Sequence, residues 1–250
     1  MNKILAAVDN SAASRPVLAT AMALAPTLAA TVEAVHVTDT PGTTAEAVAD
    51  QFGVPLRVVS GDPFERITEL AADEEVVAVV VGSRGRPQGR HPAGHVALEL
   101  ADRMSKPVVM VPPEADPPER VRRVLVAMEA TPSKAWRLKR AVKVASDAGV
   151  ELVVVHVDDE DTIPSFSDQV QHETEAYERE FLARFCEGAT VARLESRIGV
   201  PADEIIGAAD SVKPAILAVG WPHSDDPSRG AVAREVVDRS HIPVLLVAVG

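Results

Sequence analysis

Three glycines, Gly82, Gly85 and Gly94, stand in a polar stretch that also carries Arg84, Arg86, Arg90, His91 and His95. Glycine lets a backbone bend sharply and approach a ligand closely, while arginine forks two donors onto a phosphate. An apolar run, Val76 to Val81, leads into the stretch, and from His95 the residues Val96, Leu98, Leu100, Ala101 and Met104 recur at helical spacing. A helix starting at such a loop aims its free N–H groups and positive dipole end into it, so the chemistry that fits is the holding of phosphate. A GxxG at a strand end also serves as a plain turn, and a solvated surface loop accounts for at least two of the cations. Asp9 is the other candidate. It ends the first apolar run, at the edge where open α/β sheets bind ligands, and it also fits the cap of the following helix.

No Ser/His/Asp order, acid pair or Cys/His metal spacing stands out elsewhere. Asp158, Asp159, Glu160 and Asp161 read as a solvated turn, and Cys186, the sole cysteine, as a small apolar residue that excludes an intrachain disulfide. A net charge of −12 argues against a nucleic-acid duplex or an anionic membrane as partner. Aromatic residues make up 3%, which leaves few platforms for stacking on single strands. With Lys3 followed by only five apolar residues before Asp9, and no apolar run long enough to span a bilayer, the expected location is the cytoplasm.

The elements that must position these residues alternate strand and helix. Asn2 to Val8 reads as a strand, Ser11 or Ser14 as the cap of a helix ended or kinked by Pro26, and Thr31 to Val37 as a second strand. A helix over Thr43 to Gln51, a strand over Leu56 to Val59 and a helix over Pro63 to Ala72 follow. The glycine stretch and a last strand, Pro107 to Val111, complete a series of five strands. Such alternation implies a parallel, doubly wound sheet. Pro112 to Pro118, with four prolines, reads as a stiff linker, after which the series restarts. Glu129 stands 120 residues after Asp9, and His156-Val157 stands 120 after His36-Val37. Gly220 lies 138 after Gly82, and Pro243 lies 136 after Pro107. Two constant offsets with one insertion, around Asp159 to Gly188, point to tandem duplication. The expected fold class is therefore α/β, with two doubly wound, five-stranded parallel-sheet domains in tandem, over residues 1–112 and 121–250, joined by 113–120. In the second copy GxxG becomes Gly220-Trp-Pro-His223 and Asp9 becomes Glu129, as if the fold was kept and the phosphate cradle lost. His36 and His156 recur in both copies, which favours a shared structural task.

With Lys3-Ile-Leu-Ala-Ala-Val-Asp9-Asn-Ser11, Ala34-Val-His-Val-Thr38, Val81-Gly-Ser-Arg-Gly85 and Ser105-Lys-Pro-Val-Val109, the chain resembles the universal stress protein family over nearly its whole length. Nucleotide-binding members of that family carry G, two residues, G, nine residues, then G and Ser or Thr. Here eight residues separate Gly85 from Gly94, His95 stands at the hydroxyl position, and Ala97 replaces a second hydroxyl residue. The resemblance implies a Rossmann-like, adenine nucleotide alpha-hydrolase-like fold, with the final strands of the two halves associating as an intrachain pseudo-dimer. It also implies ATP or a related adenine nucleotide, with Mg as its companion, in the first half. The residues concerned would be Ala7, Val8, Asp9, Val37, Val81, Gly82, Arg84, Gly85, Arg86, Arg90, Gly94, His95 and Val96. Asp9 would meet the ribose and Val37 the adenine, with arginines replacing the missing hydroxyl. No catalytic residue is assigned, so hydrolysis would be slow or absent. The expected function is a stress-response module that uses the nucleotide as a regulatory ligand, alone or as a homodimer of the two-domain chain, with a protein partner not named by the sequence. The alternative is a nucleotide-free protein-interaction module of the same fold. An adenylate-forming or pyrophosphatase-type enzyme stands behind both.

Overall fold

The computed structural model describes residues 1–38, 44–83, 95–128, 142–158, 176, 178–183, 186, 192–222 and 230–248. The first half runs β1 (Asn2–Val8), α1 (Ser14–Leu24), β2 (Ala30–Val37), α2 (Thr44–Phe52), β3 (Leu56–Val59), α3 (Pro63–Ala71), β4 (Val76–Gly82), α4 (His95–Arg103) and β5 (Val108–Val111). The second runs β6 (Arg123–Ala127), β7 (Glu151–Asp158), β8 (Ala192–Ile198), α5 (Pro201–Val212), β9 (Ile216–Trp221), α6 (Ala231–Arg239) and β10 (Val244–Ala248), with further helical residues at 142–147 and 178–183.

All ten strands form one sheet in the order β3-β2-β1-β4-β5-β10-β9-β6-β7-β8. Every neighbouring pair is parallel except β5 and β10, which meet antiparallel. The register repeats at the offsets read from the sequence. Ala6 stands opposite Ala34 and Val80, and in the second half Val126 stands opposite Val154 and Ala218. At the junction Val109 pairs with Leu245, while Met110 pairs with Val244 and Val108 with Leu246. Val109 and Leu245 occupy equivalent places in the two copies, so this pair lies on a local two-fold axis. The pairing removes two apolar edges that would be costly to expose.

Runs such as VVAVVVG in β4 carry no charge because both of their faces are covered by helices. One apolar layer holds Ile4, Ala6, Val80, Val109, Val126 and Val154; the other holds Leu5, Val79, Met110, Leu125, Leu217 and Leu246. The layers pass through the junction without a break. The proline-rich linker is anchored to this body at its two ends: Pro112 and Val121 are buried, and the Val121 N–H donates to the Ala23 carbonyl at 3.4 Å. α3 opens as a capped helix, with Asp62 accepting from the Glu65 N–H at 3.0 Å and Pro63 in the first turn. α1 departs from expectation. Its N-cap is Ala13 with no side-chain cap, because the hydroxyls of Ser11 and Ser14 are engaged in the turn at Asp9.

Candidate functional site

In each half the chain leaves its first strand in two directions: β1 is flanked by β2 and β3 on one side and by β4 and β5 on the other. The carboxyl ends of β1 and β4 thus frame a switch point, where the backbones diverge and a crevice opens. Strand register sets Ala7 opposite Val81 at this edge, with Val8 and Gly82 one residue further on. Val8 and Val81 are buried, whereas Ala7, Gly82 and Val37 are half-buried. Of the remaining predicted residues, Val96 is a half-buried residue of the first turn of α4, and His95 opens that helix. Arg84, Gly85, Arg86, Arg90 and Gly94 lie outside the described residues.

Asp9 is exposed and builds the turn beyond β1. Its Oδ1 accepts from the Ser11 N–H at 2.9 Å and from the Ser11 hydroxyl at 2.6 Å, and Ser14 Oγ lies 3.1 Å away. The Asp9 N–H in turn donates to Ser14 Oγ at 2.9 Å. One carboxylate oxygen is therefore spent on local structure, as a helix-leading turn demands, and Oδ2 makes no hydrogen bond among the described residues. Asn10, which sequence reasoning did not single out, ties this turn to α2 by accepting from the Ala45 N–H at 3.3 Å.

The histidines have the shared task expected of them. His36 Nδ1 lies 2.9 Å from the Val8 carbonyl and His156 Nδ1 lies 2.9 Å from the Met128 carbonyl, so each ring secures the end of the neighbouring first strand. Their other nitrogens differ. His156 Nε2 sits 3.2 Å from Asp158 Oδ1, and the ring packs on Phe181 with centroids 5.3 Å apart, whereas the buried His36 Nε2 has no hydrogen-bond partner among the described residues.

Ser83 was missed as a candidate although it lies inside the glycine motif. It is 2% exposed, its N–H donates to the Val111 carbonyl at 2.8 Å, and its Oγ has no hydrogen-bond partner among the described residues. A buried hydroxyl without a partner is costly, which makes it a place where a ligand atom would be accepted. Its counterpart 138 residues on is Trp221, 1% exposed, whose indole Nε1 donates to Asp102 Oδ1 of α4 at 2.9 Å across the junction. The Arg234 guanidinium covers the same ring at 4.7 Å. Pro222 closes on Gly230, where an added Cβ would come within 3.0 Å of the proline ring. The position equivalent to Ser83 is therefore occupied by a packed and paired indole. Among the described residues no group of three or more His, Cys, Asp and Glu gathers as a metal centre would require, and no helix is long and apolar enough to cross a membrane.

The family model for universal stress proteins matches residues 43–112 and again 120–248, once in each half of the duplicated sheet. The chain belongs to the universal stress protein family. The first match begins after β2, so the turn at Asp9 lies outside it. A universal stress protein from Archaeoglobus fulgidus is similar over 100% of this chain and 99% of its own, at 18% identity and a TM-score of 0.68. A functionally unknown protein from Pseudomonas aeruginosa is similar over 99% of this chain and 92% of its own, at 15% identity and a TM-score of 0.72. Both likenesses are ones of fold. Another universal stress protein, solved in complex with cAMP, resembles 52% of this chain at 24% identity and a TM-score of 0.42. No curated protein matches the chain.

Proposed function

We propose that this universal stress protein binds ATP or a related adenine nucleotide as a regulatory ligand, in its first half only. Residues 1–112 and 121–250 then form the two domains and 113–120 the linker. The observation that carries the reading is the contrast between Ser83 and Trp221. At the same place in the two copies, one hydroxyl is buried beside a glycine stretch without a partner among the described residues, and one indole is buried, paired and capped.

In this reading Ala7, Val8, Val37, Val81 and Val96 supply the apolar walls, and Oδ2 of Asp9 accepts from the ribose. Gly82, Gly85 and Gly94 let the backbone approach the phosphates, and the N–H groups from His95 onward face them, as helix starts do. Arg84, Arg86 and Arg90 supply the charge, and Mg would share the phosphate oxygens. In this reading the nucleotide serves as a bound signal, with hydrolysis slow or absent. A nucleotide-free interaction module is the reading favoured by one observation, the eight residues between Gly85 and Gly94 followed by His95 instead of a hydroxyl.

Mass spectrometry of small molecules released from the purified, denatured chain separates the two, an adenine nucleotide being the expected result. In calorimetry, Gly85→Val should close the cradle and weaken ATP binding by more than a hundredfold. Loss of Arg86 or Arg90 should weaken it roughly ten- to a hundredfold, the equivalent of about 1.5–3 kcal/mol. Cyclic AMP belongs in the titration as a competitor. Unchanged ATP affinity in Gly85→Val would remove the glycine stretch from the site.

A further inference from the structure

The amino-terminal ends of the second half's strands carry an open cavity of about 750 Å3. Glu119 and Arg120 come from the linker, Arg122 and Arg123 from the start of β6, Glu151 from the start of β7, and Lys213 from the turn between α5 and β9. Four cations thus face two carboxylates in a chain whose net charge is −12. Arg123 is committed, its Nε 2.7 Å from Glu151 Oε2 and its Nη1 donating to the Val212 carbonyl at 2.7 Å. Glu151 is shared with Arg193, whose Nε lies 3.7 Å from Oε1. Arg120, Arg122 and Lys213 make no side-chain hydrogen bond or ion pair with any described residue.

The first half shows that the fold does not require this. By strand register Arg123 corresponds to Lys3, Arg122 to Asn2 and Lys213 to Glu75. There Lys3 is paired with Glu33 at 2.8 Å, whose hydrogen bond and charge hold the ammonium above its usual pKa, and Lys106 donates to the Asp73 carbonyl. Asp73, Glu74 and Glu75 make that turn acidic. In the second half the corresponding residues are Ser211, Val212 and Lys213, and Lys213 sits in a left-handed conformation (φ 50°, ψ 58°) that glycine adopts freely and lysine only under strain.

We propose that this cavity binds a small polyanion bearing two or more phosphate groups. Two arginines and a lysine without partners among the described residues match phosphate oxygens by fork and point charge. The lining contains no aromatic residue, so no base or ring would stack there. The volume falls within the roughly 300–1,000 Å3 typical of small-molecule sites. Glu119 is the one lining carboxylate without a cation partner, and it opposes the ligand.

The test is calorimetric titration of the full chain with inorganic tripolyphosphate at low salt. Lys213→Gly keeps the left-handed backbone and removes the charge, and Arg122→Asn installs the residue of the first half. Each should weaken binding about tenfold and the pair about a hundredfold, while Glu119→Gln should strengthen it severalfold. Gly85→Val, in the other half of the chain, should leave it unchanged, which separates this site from the proposed nucleotide site. Urea unfolding should place Lys213→Gly at or above the parent chain, so its loss of binding would not reflect misfolding. A parent chain that gives no heat, single variants that bind as the parent does, or loss of binding in Gly85→Val would each overturn the proposal.

Discussion

The carboxyl edges of the two halves share strand order and register but not content. In the first, the chain just beyond β4 places Ser83 in the interior, its hydroxyl without a hydrogen-bond partner among the described residues. In the second, the end of β9 places Trp221 there, pinned to Asp102 of the other half and capped by Arg234. His36 and His156 repeat the lesson, since both fasten the preceding strand but only the second finds a carboxylate for its other nitrogen. A duplicated sheet can thus keep its core pattern intact while its ends diverge, because register depends on alternate apolar residues and the ends do not. One edge kept open polar groups, and the other became a fastening between the halves.

The largest effect that would test this contrast is at the indole. Trp221→Ala should cost about 3–5 kcal/mol in urea unfolding, as removal of a fully buried aromatic does. A cost below about 1 kcal/mol would mean that the second edge is not a packed fastening. Asp102→Ala leaves the indole N–H buried and unpaired and should cost about 1–3 kcal/mol, yet much less in a Trp221→Phe background, where there is no N–H to strand. Equal costs in the two backgrounds would break the proposed link. Ser83→Ala should act in the opposite sense. Deleting a buried hydroxyl without a partner should leave stability unchanged or raise it by up to about 1 kcal/mol, while weakening ATP binding. A clear loss of stability would show that the hydroxyl already has a structural partner.

Much of this arrangement was legible in the residues. The uncharged Val76 to Val81 run, the recurrent offsets and the apolar Pro107 and Pro243 strands led to the parallel sheets and their junction, because burial on both faces leaves a strong compositional mark. The Ser11 and Ser14 caps were misassigned, since a hydroxyl beside an aspartate has two local uses and sequence does not rank them. The bond from Trp221 to Asp102 spans 119 residues and a domain junction, beyond the reach of any local pattern. Ser83 carried a signal that passed unused, because its alignment with Trp221 follows directly from the offset between Gly82 and Gly220. For Arg84, Gly85, Arg86, Arg90 and Gly94, which fall outside the described residues, the sequence remains the basis of their assignment.

The most direct measurement is the stoichiometry of ATP binding to the intact chain, by isothermal titration calorimetry in the presence of Mg2+. A single site per chain, lost in Gly85→Val and retained in Trp221→Phe, is the predicted result. Two equivalent sites, or one site that survives Gly85→Val, would contradict the assignment of the nucleotide to the first half.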